Sequence, residues 1–231
     1  MAGIRNVAEE KIDLSLDGVV VIMLPGRAMR GPNPDVEPHQ LRSHLPLTRS
    51  DLETHAMTSQ ELLSTYVLGI ADWGVLPTVA MQALEEGHDS SHLRMLAGMN
   101  ALDSPFEIKD SLRRSLSELG WPFPTLLDAG RVLVCYWTRR IVSHSVSPED
   151  GAVRIAWQVY PNLYRFDTTT TGDALSVEDL LAIAYTYDEV EHGFLEYEGR
   201  DVTSVEARAI LDQAVMHESR QWLDRNCPDG P

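Results

Sequence analysis

The sequence predicts a mainly α protein, an irregular multi-helix bundle with a small N-terminal extended or β-hairpin element. Three observations lead there. First, Ser or Thr is followed three residues later by Glu or Asp, ahead of an apolar run, at Thr58/Glu61, Ser104/Glu107, Ser147/Asp150, Ser176/Asp179 and Thr203/Glu206, with Ser50/Glu53 a weaker sixth case. In this pattern the hydroxyl accepts from an unpaired amide of the first helical turn. Glu reaches back to the capping residue's own amide; the shorter Asp reaches less well but still favours the positive end of the helix dipole. Second, apolar residues after residue 57 recur at helical spacing. Third, Gly and Pro stand where such helices would stop or start.

The N-terminal element comes first. Ile12, Leu14 and Leu16 alternate with Asp13, Ser15 and Asp17, a half-buried strand pattern. Asp17-Gly18 is a hairpin-turn dipeptide, and residues 19–24 follow as a β-branched run. A hairpin fits; two extended segments laid on the helices are the alternative. Residues 25–57 hold Pro25, Pro32, Pro34, Pro38 and Pro46 with Arg27, Arg30, Arg42 and Arg49. Proline removes donors and fixes φ, so neither a long helix nor a central strand forms there. The segment is expected to be disordered or a functional surface loop.

From Thr58, the stripe Leu62, Leu63, Tyr66, Val67 and Ile70 predicts a helix ending near Gly74. Pro77 suits a first turn, with Gly87 as the stop. A short helix starts near Asp89 or Ser90 and ends at Gly98. The next runs from Ser104 to Gly120, and Trp121-Pro122-Phe123-Pro124 forms a stiff link. A long helix is expected from about Thr125 to His144, and another from Ser147 to about Tyr160. Two acidic helices, roughly 177–197 and 204–226, close the chain. Residues 166–173, with four consecutive threonines, are a polar linker and the best domain boundary. This gives a segment 1–57, a helical core 58–166 and an acidic helical pair 167–231 packed on that core. The helices share no fixed repeat period, which argues against a solenoid.

Length and charge bound the function. The chain has 231 residues, 43% of them hydrophobic, and a formal net charge of −16. Such a surface repels phosphates and anionic lipid alike, so nucleic-acid and membrane binding are not expected. The acidity is concentrated: residues 166–231 carry 4 basic and 15 acidic groups, whereas residues 109–165 carry 8 and 5. An acidic face of this kind keeps a protein soluble or docks a basic partner. Residues 1–13 lack the apolar core of a signal peptide, and residues 19–24, the longest apolar stretch, are far too short to span a bilayer. A cytoplasmic protein is expected. Cys135 lies in an apolar run and Cys227 in a Pro/Gly/Asp tail. Settings so different do not read as a disulfide framework or a zinc site. Apolar neighbours would raise the Cys135 pKa, so it is not expected to be a nucleophile.

Ala83-Leu84-Glu85-Glu86-Gly87-His88-Asp89-Ser90, continuing through Leu93-Arg94-Met95-Leu96-Ala97-Gly98, resembles a helical module of bacterial proteins of unknown function. Pro148-Glu149-Asp150-Gly151-Ala152 with Arg154-Ile155 resembles a second such piece. Together they cover about a third of the chain. The matched residues read as helix stops, caps and packing positions, so the resemblance implies no activity.

Candidate chemistry is sparse. Asp188, His192 and Glu196 recur every four residues, one stripe on a helix, flanked by Glu189 and Glu191. With His217 and Glu218 from the last helix they make a candidate divalent-metal set. The stripe could also act as an acid–base pair. The plainer reading is an exposed acidic face holding a histidine. His88 and His92 straddle a helix break around Gly87, and read as closing one helix and opening the next. His39, His44 and His55 lie in the proline-rich segment. Arg139, Arg140 and Arg154, near Tyr136, Trp137 and Trp157, are expected to pair with the chain's own acidic C-terminal helices. There is no GxxxxGK[ST], GxGxxG, HExxH or GxSxG motif. No catalytic or cofactor-binding residue is assigned. The expected function is a non-catalytic protein-interaction protein of accessory, regulatory or immunity type, binding a basic protein through Glu189, Glu191, Glu196, Glu198 and the proline-rich loop. The alternatives are a metal-dependent helical enzyme on the Asp188/His192/Glu196 stripe and a small-molecule-binding bundle. Neither a cofactor nor an oligomeric state is implied.

Overall fold

The structure is a computed structural model and describes residues 13–16, 19–22, 57–100, 102–166, 174–191, 196–197 and 200–227. Of the N-terminal element the two strands Asp13–Leu16 and Val19–Ile22 are described, antiparallel with Asp13 opposite Ile22 and Leu16 opposite Val19; the rest of residues 1–56, with the proline-rich segment and the Ser50 cap, lies outside the described residues. Within them the chain is mainly α, with eight helices.

Helix α1, Ser59–Val67, opens on the expected capping box: Thr58 Oγ1 accepts from the Glu61 amide and Glu61 accepts from the Thr58 amide. It stops short of Gly74. Gly69 takes a φ of 69°, and the Ile70 and Ala71 amides both donate to the Thr65 carbonyl, turning the chain out of the helix. Asp72 then caps a 3-10 turn, Trp73–Val75, that leads into α2, Leu76–Glu85. Helix α3, Ser91–Ala97, is capped by Ser90. Helix α4, Pro105–Leu119, begins at Ser104, whose side chain makes no cap bond although its backbone is extended, and ends at Gly120 with a φ of 69°. Helix α5, Leu126–Val142, starts on a capping box the Glu-centred reading passed over, Thr125 with Asp128.

Helix α6 spans residues 148–166 and does not end near Tyr160. It starts at Ser147, which accepts from the Asp150 amide. It then widens into a π segment, Ile155–Val159, with the Tyr160 amide reaching back to the Ile155 carbonyl, and continues as Tyr160–Phe166. Pro161 has no amide to offer, and the wide turn lies immediately ahead of it. Helix α7 is Glu178–Glu191. Ser176 adopts a φ of 53° instead of the extended backbone of the other caps, and Val177 provides the first carbonyl, to the Leu181 amide. Helix α8, Ser204–Asn226, carries the complete box Thr203 with Glu206.

Helix α5 is the centre of the packing. It contacts α1 on the N-terminal side and α6 and α8 on the C-terminal side, while α2, α3 and α4 stack outward from α1. The acidic helices are thus docked on the core. Leu133, Val134 and Ile141 of α5 belong to the same buried cluster as Leu76, Ile108, Ile155, Val177, Val215 and Trp222. Burying each such side chain contributes about 1.5–3 kcal/mol. Gly151 marks the closest approach: a Cβ there would meet Ile141 Cγ1 and, at 2.6 Å, Ile141 Cδ1.

One expectation is overturned. Cys135 and Cys227 are paired as a disulfide, their Cα atoms 6.8 Å apart and 92 positions apart in sequence. Their local settings differ because one lies within α5 and the other just past the end of α8. The packing of α8 on α5 brings them together, which composition does not reveal.

Candidate functional site

Helices α7 and α8 run antiparallel. Trp222 Nε1 donates to the Leu175 carbonyl at 2.8 Å, and Tyr187 Oη donates to Asp212 Oδ1 at 2.6 Å. This register fixes where the candidate metal residues sit. Asp188 is exposed on α7, close in sequence to Tyr187 and hence near Asp212. His217 is exposed, its Nε2 2.6 Å from Gln221 Nε2. Glu218 is buried, and Asp179 is the neighbouring carboxylate that acts on it. Asp179 and Asp188 are nine positions apart on α7, about 13 Å at 1.5 Å per residue. His217 and Glu218 therefore face the N-terminal half of α7, away from Asp188. The helix expected to reach residue 197 ends at Glu191, and Glu196 lies in a two-residue strand, Glu196–Tyr197, paired antiparallel with Arg200–Asp201, so it does not continue a helical stripe from Asp188. His192 and Glu198 lie outside the described residues, as do the side chains of Glu189, Glu191 and Glu196. Among the described residues no group of three or more His, Cys, Asp or Glu is arranged to hold a metal ion.

The carboxyl of Glu218 is pushed above the ordinary carboxylate range, first by burial and then by Asp179, with His217 and Arg225 acting in the opposite sense. Nearby, α6, α7 and α8 meet in a polar cluster. Arg208 donates to Glu149, and Tyr187, 2% exposed, donates to Asp212. Burial is the main reason the Tyr187 hydroxyl is pushed far up, with the Asp212 hydrogen bond next. It therefore stays a neutral donor holding the two helices together.

Arg140 is arranged differently from the expectation. Arg140 sits 5.4 Å from the Tyr136 ring centre and 5.6 Å from that of Trp137, and Arg154 lies 4.9 Å from Trp137. Arg140 also donates to Tyr136 Oη and to the Ser145 carbonyl. Its partners are thus rings and a local carbonyl of its own helix end. Glu149 on α6 and Arg208 on α8 form an ion pair between the middle third and the last helix.

The two histidines around Gly87 diverge. His88 packs edge-on against Trp121, with ring centres 4.5 Å apart. At the start of α3, the His92 amide donates to Glu118, whose other carboxylate oxygen lies 2.6 Å from His92 Nδ1. These bonds hold Glu118 down at about 2. The pair ties the start of α3 to the end of α4. His39, His44 and His55 lie outside the described residues.

The opposite end of that helical pair carries a feature missing from the sequence reading. Leu102 is 96% exposed, Phe106 76% and Met95 55%. The turn between α3 and α4 is held by three bonds. The Asn100 amide donates to Asp103 Oδ2 at 2.7 Å, the Leu102 amide to Asn100 Oδ1 at 2.8 Å, and the Asp103 amide to the Asn100 carbonyl at 3.0 Å. A well-bonded turn therefore holds a leucine out in solvent, with Phe106 in the first turn of α4. The signal was present in Leu102, an apolar residue between Asn100 and Asp103.

Comparison with protein-family models, curated proteins and solved structures finds no match to this chain. The residues expected to stop and cap α2 and α3 perform those structural tasks. Gly87 takes a φ of 88° after α2, Ser90 caps α3, and the Gly98 amide donates to the Arg94 and Met95 carbonyls. Among the described residues no helix is long and apolar enough to cross a membrane.

Proposed function

We propose that this protein is a non-catalytic, cytoplasmic interaction protein of accessory, regulatory or immunity type that binds a basic protein partner. The observation that carries the reading is the α3–α4 turn, where Leu102 and Phe106 stand exposed on a hydrogen-bonded scaffold. An ordered turn that holds large apolar side chains out in solvent suits a contact site. Burying them against a partner contributes about 1.5–3 kcal/mol each. The sign of the partner follows from charge. The chain carries −16 overall, and Glu178, Asp179 and Asp224 join Asp188 in leaving carboxylates exposed on α7 and α8. Such a field speeds encounter with a basic protein and weakens as salt rises.

The test is capture of the tagged full chain and of a Leu102→Asp, Phe106→Asp variant from native cell extract, at low and high salt. The expected result is a stoichiometric basic protein retained at low salt, released at high salt and lost with the variant. Absence of any stoichiometric partner at both salts would sink the proposal, as would equal recovery with the variant.

A further inference from the structure

We infer that Cys135 and Cys227 form a reversible thiol–disulfide latch that sets whether the last turn of α8 is clamped onto α5. The first observation is placement. Cys135 lies inside the central helix and is 8% exposed, while Cys227 immediately follows the last residue of α8 and is half-buried. The bond closes a 92-residue separation that contains all of α6, α7 and α8.

The second observation is what remains when the bond opens. Trp222, 1% exposed and bonded to the Leu175 carbonyl, anchors α8 one turn upstream of Cys227. Leu211 and Val215 are buried further back. Beyond Trp222 the hold is slight. Leu223 is half-buried, Asp224 and Arg225 are exposed, and local bonds remain: the Cys227 amide to the Leu223 carbonyl and Asn226 Nδ2 to the Trp222 carbonyl. Opening the latch therefore loosens one helical turn and leaves the bundle folded. A bond whose loss would unfold the chain could not serve as a switch; this one is placed downstream of the anchor.

The more accessible sulfur dictates the order of exchange. With a low-molecular-weight disulfide as oxidant, the Cys227 thiolate attacks its S–S bond and one small thiol leaves, giving a mixed disulfide. The Cys135 thiolate then attacks Cys227 Sγ and displaces the second small thiol. The two cysteines lose two electrons to the oxidant, and their two protons end on the two released thiols. A dithiol reverses both steps. In a reducing compartment the latch stands open, and an oxidising episode closes it.

The experiment uses the full chain equilibrated in buffers of varied reduced-to-oxidised dithiothreitol ratio, alkylated, and weighed intact. A single transition between two adducts and none is expected, with the chain remaining unimolecularly linked. Amide exchange at residues 223–227 should be faster in the dithiol form. The thermal midpoint should fall by about 5–15 °C on reduction. Cys227→Ser, a substitution past the helix end that leaves the core intact, should match the dithiol form in both buffers. The inference is overturned by two adducts persisting under oxidising conditions, by disulfide-linked dimers in place of the internal bond, or by identical exchange at 223–227 in both states. A redox-dependent midpoint in Cys227→Ser would overturn it equally.

Discussion

Trp222 should be the single most costly side chain to remove from the C-terminal third. It is 1% exposed, and its indole N–H donates to the buried Leu175 carbonyl at 2.8 Å, joining α8 to the segment that opens α7. Two substitutions separate its contributions. Trp222→Phe keeps an aromatic ring but leaves the Leu175 carbonyl without this donor, a loss of about 1–3 kcal/mol, to which the smaller ring adds a modest packing term. Trp222→Ala removes the ring as well. A buried Trp covers about 150–250 Å², which at about 25 cal/mol per Å² is roughly 4–6 kcal/mol as an upper bound. Truncations of this type cost about 3–5 kcal/mol in practice. The assay is urea unfolding in reducing buffer, so that the Cys135–Cys227 bond does not mask the effect. The midpoint should drop for both variants, with the slope unchanged for Trp222→Phe. If Trp222→Ala costs less than about 2 kcal/mol, or Trp222→Phe is indistinguishable from the parent, α8 is not held as described.

Other perturbations test other joints. Gly151→Ala should destabilise by about 1–3 kcal/mol because its Cβ would press on Ile141 Cγ1 and Cδ1; chemical denaturation reads the loss. Tyr187→Phe should cost about 1–2 kcal/mol by removing the 2.6 Å bond to Asp212, measured as a denaturation midpoint shift. The Glu118 carboxyl, held at about 2 by its bonds to His92, should titrate by carboxyl-carbon NMR well below an ordinary glutamate. Its folded pKa lies below the unfolded value, so its contribution is present above about 4.5 and is lost as pH falls toward 2. Glu218 has the opposite sign. Its raised pKa means the buried charge opposes folding at neutral pH, and protonation as pH falls through that value relieves the penalty. Glu218→Gln should therefore raise the thermal midpoint at pH 7, and an unchanged or lower midpoint would contradict this placement.

What was legible in the sequence is what depends on neighbours in the chain. Thr58, Ser90, Ser147 and Thr203 cap helices with a hydroxyl, an extended backbone and an amide three residues on, all set within a few residues of chain, although Ser104 meets the same conditions without making the bond. Ser176 carries the same letters and fails the backbone condition, which is set by how the chain enters α7. Pro161 reads as a helix end because a regular helix needs its amide. Widening at Ile155–Val159 is a local rearrangement that residue type does not encode. The candidate site was less legible, because it depends on register between helices far apart in sequence. Asp188 and Glu218 look like potential co-ligands until Tyr187–Asp212 and Leu175–Trp222 fix the alignment of α7 and α8. Cys135 and Cys227 look unrelated until α8 is laid on α5.

The same distinction bears on function. Net charge is a sum over the chain and was readable at once, so the expectation of a basic partner follows from sequence alone. Exposure is not a sum. Leu93, Leu96, Ile108 and Leu112 are buried between α3, α4 and their neighbours, while Met95, Leu102 and Phe106, equally apolar, face solvent. In sequence the two sets are interleaved within one apolar-rich stretch, and only packing separates them. A long-range acidic field with no apolar anchor would give fast but weak and indiscriminate association, and an apolar turn with no field would give slow association. The proposed interaction draws on both, so the two should be separable in kinetics. Neutralising exposed carboxylates on α7 and α8 should lower the on-rate and its salt dependence, whereas Leu102→Asp should act on the off-rate. Equal effects of both substitutions on the on-rate alone would show that the turn is not part of the contact.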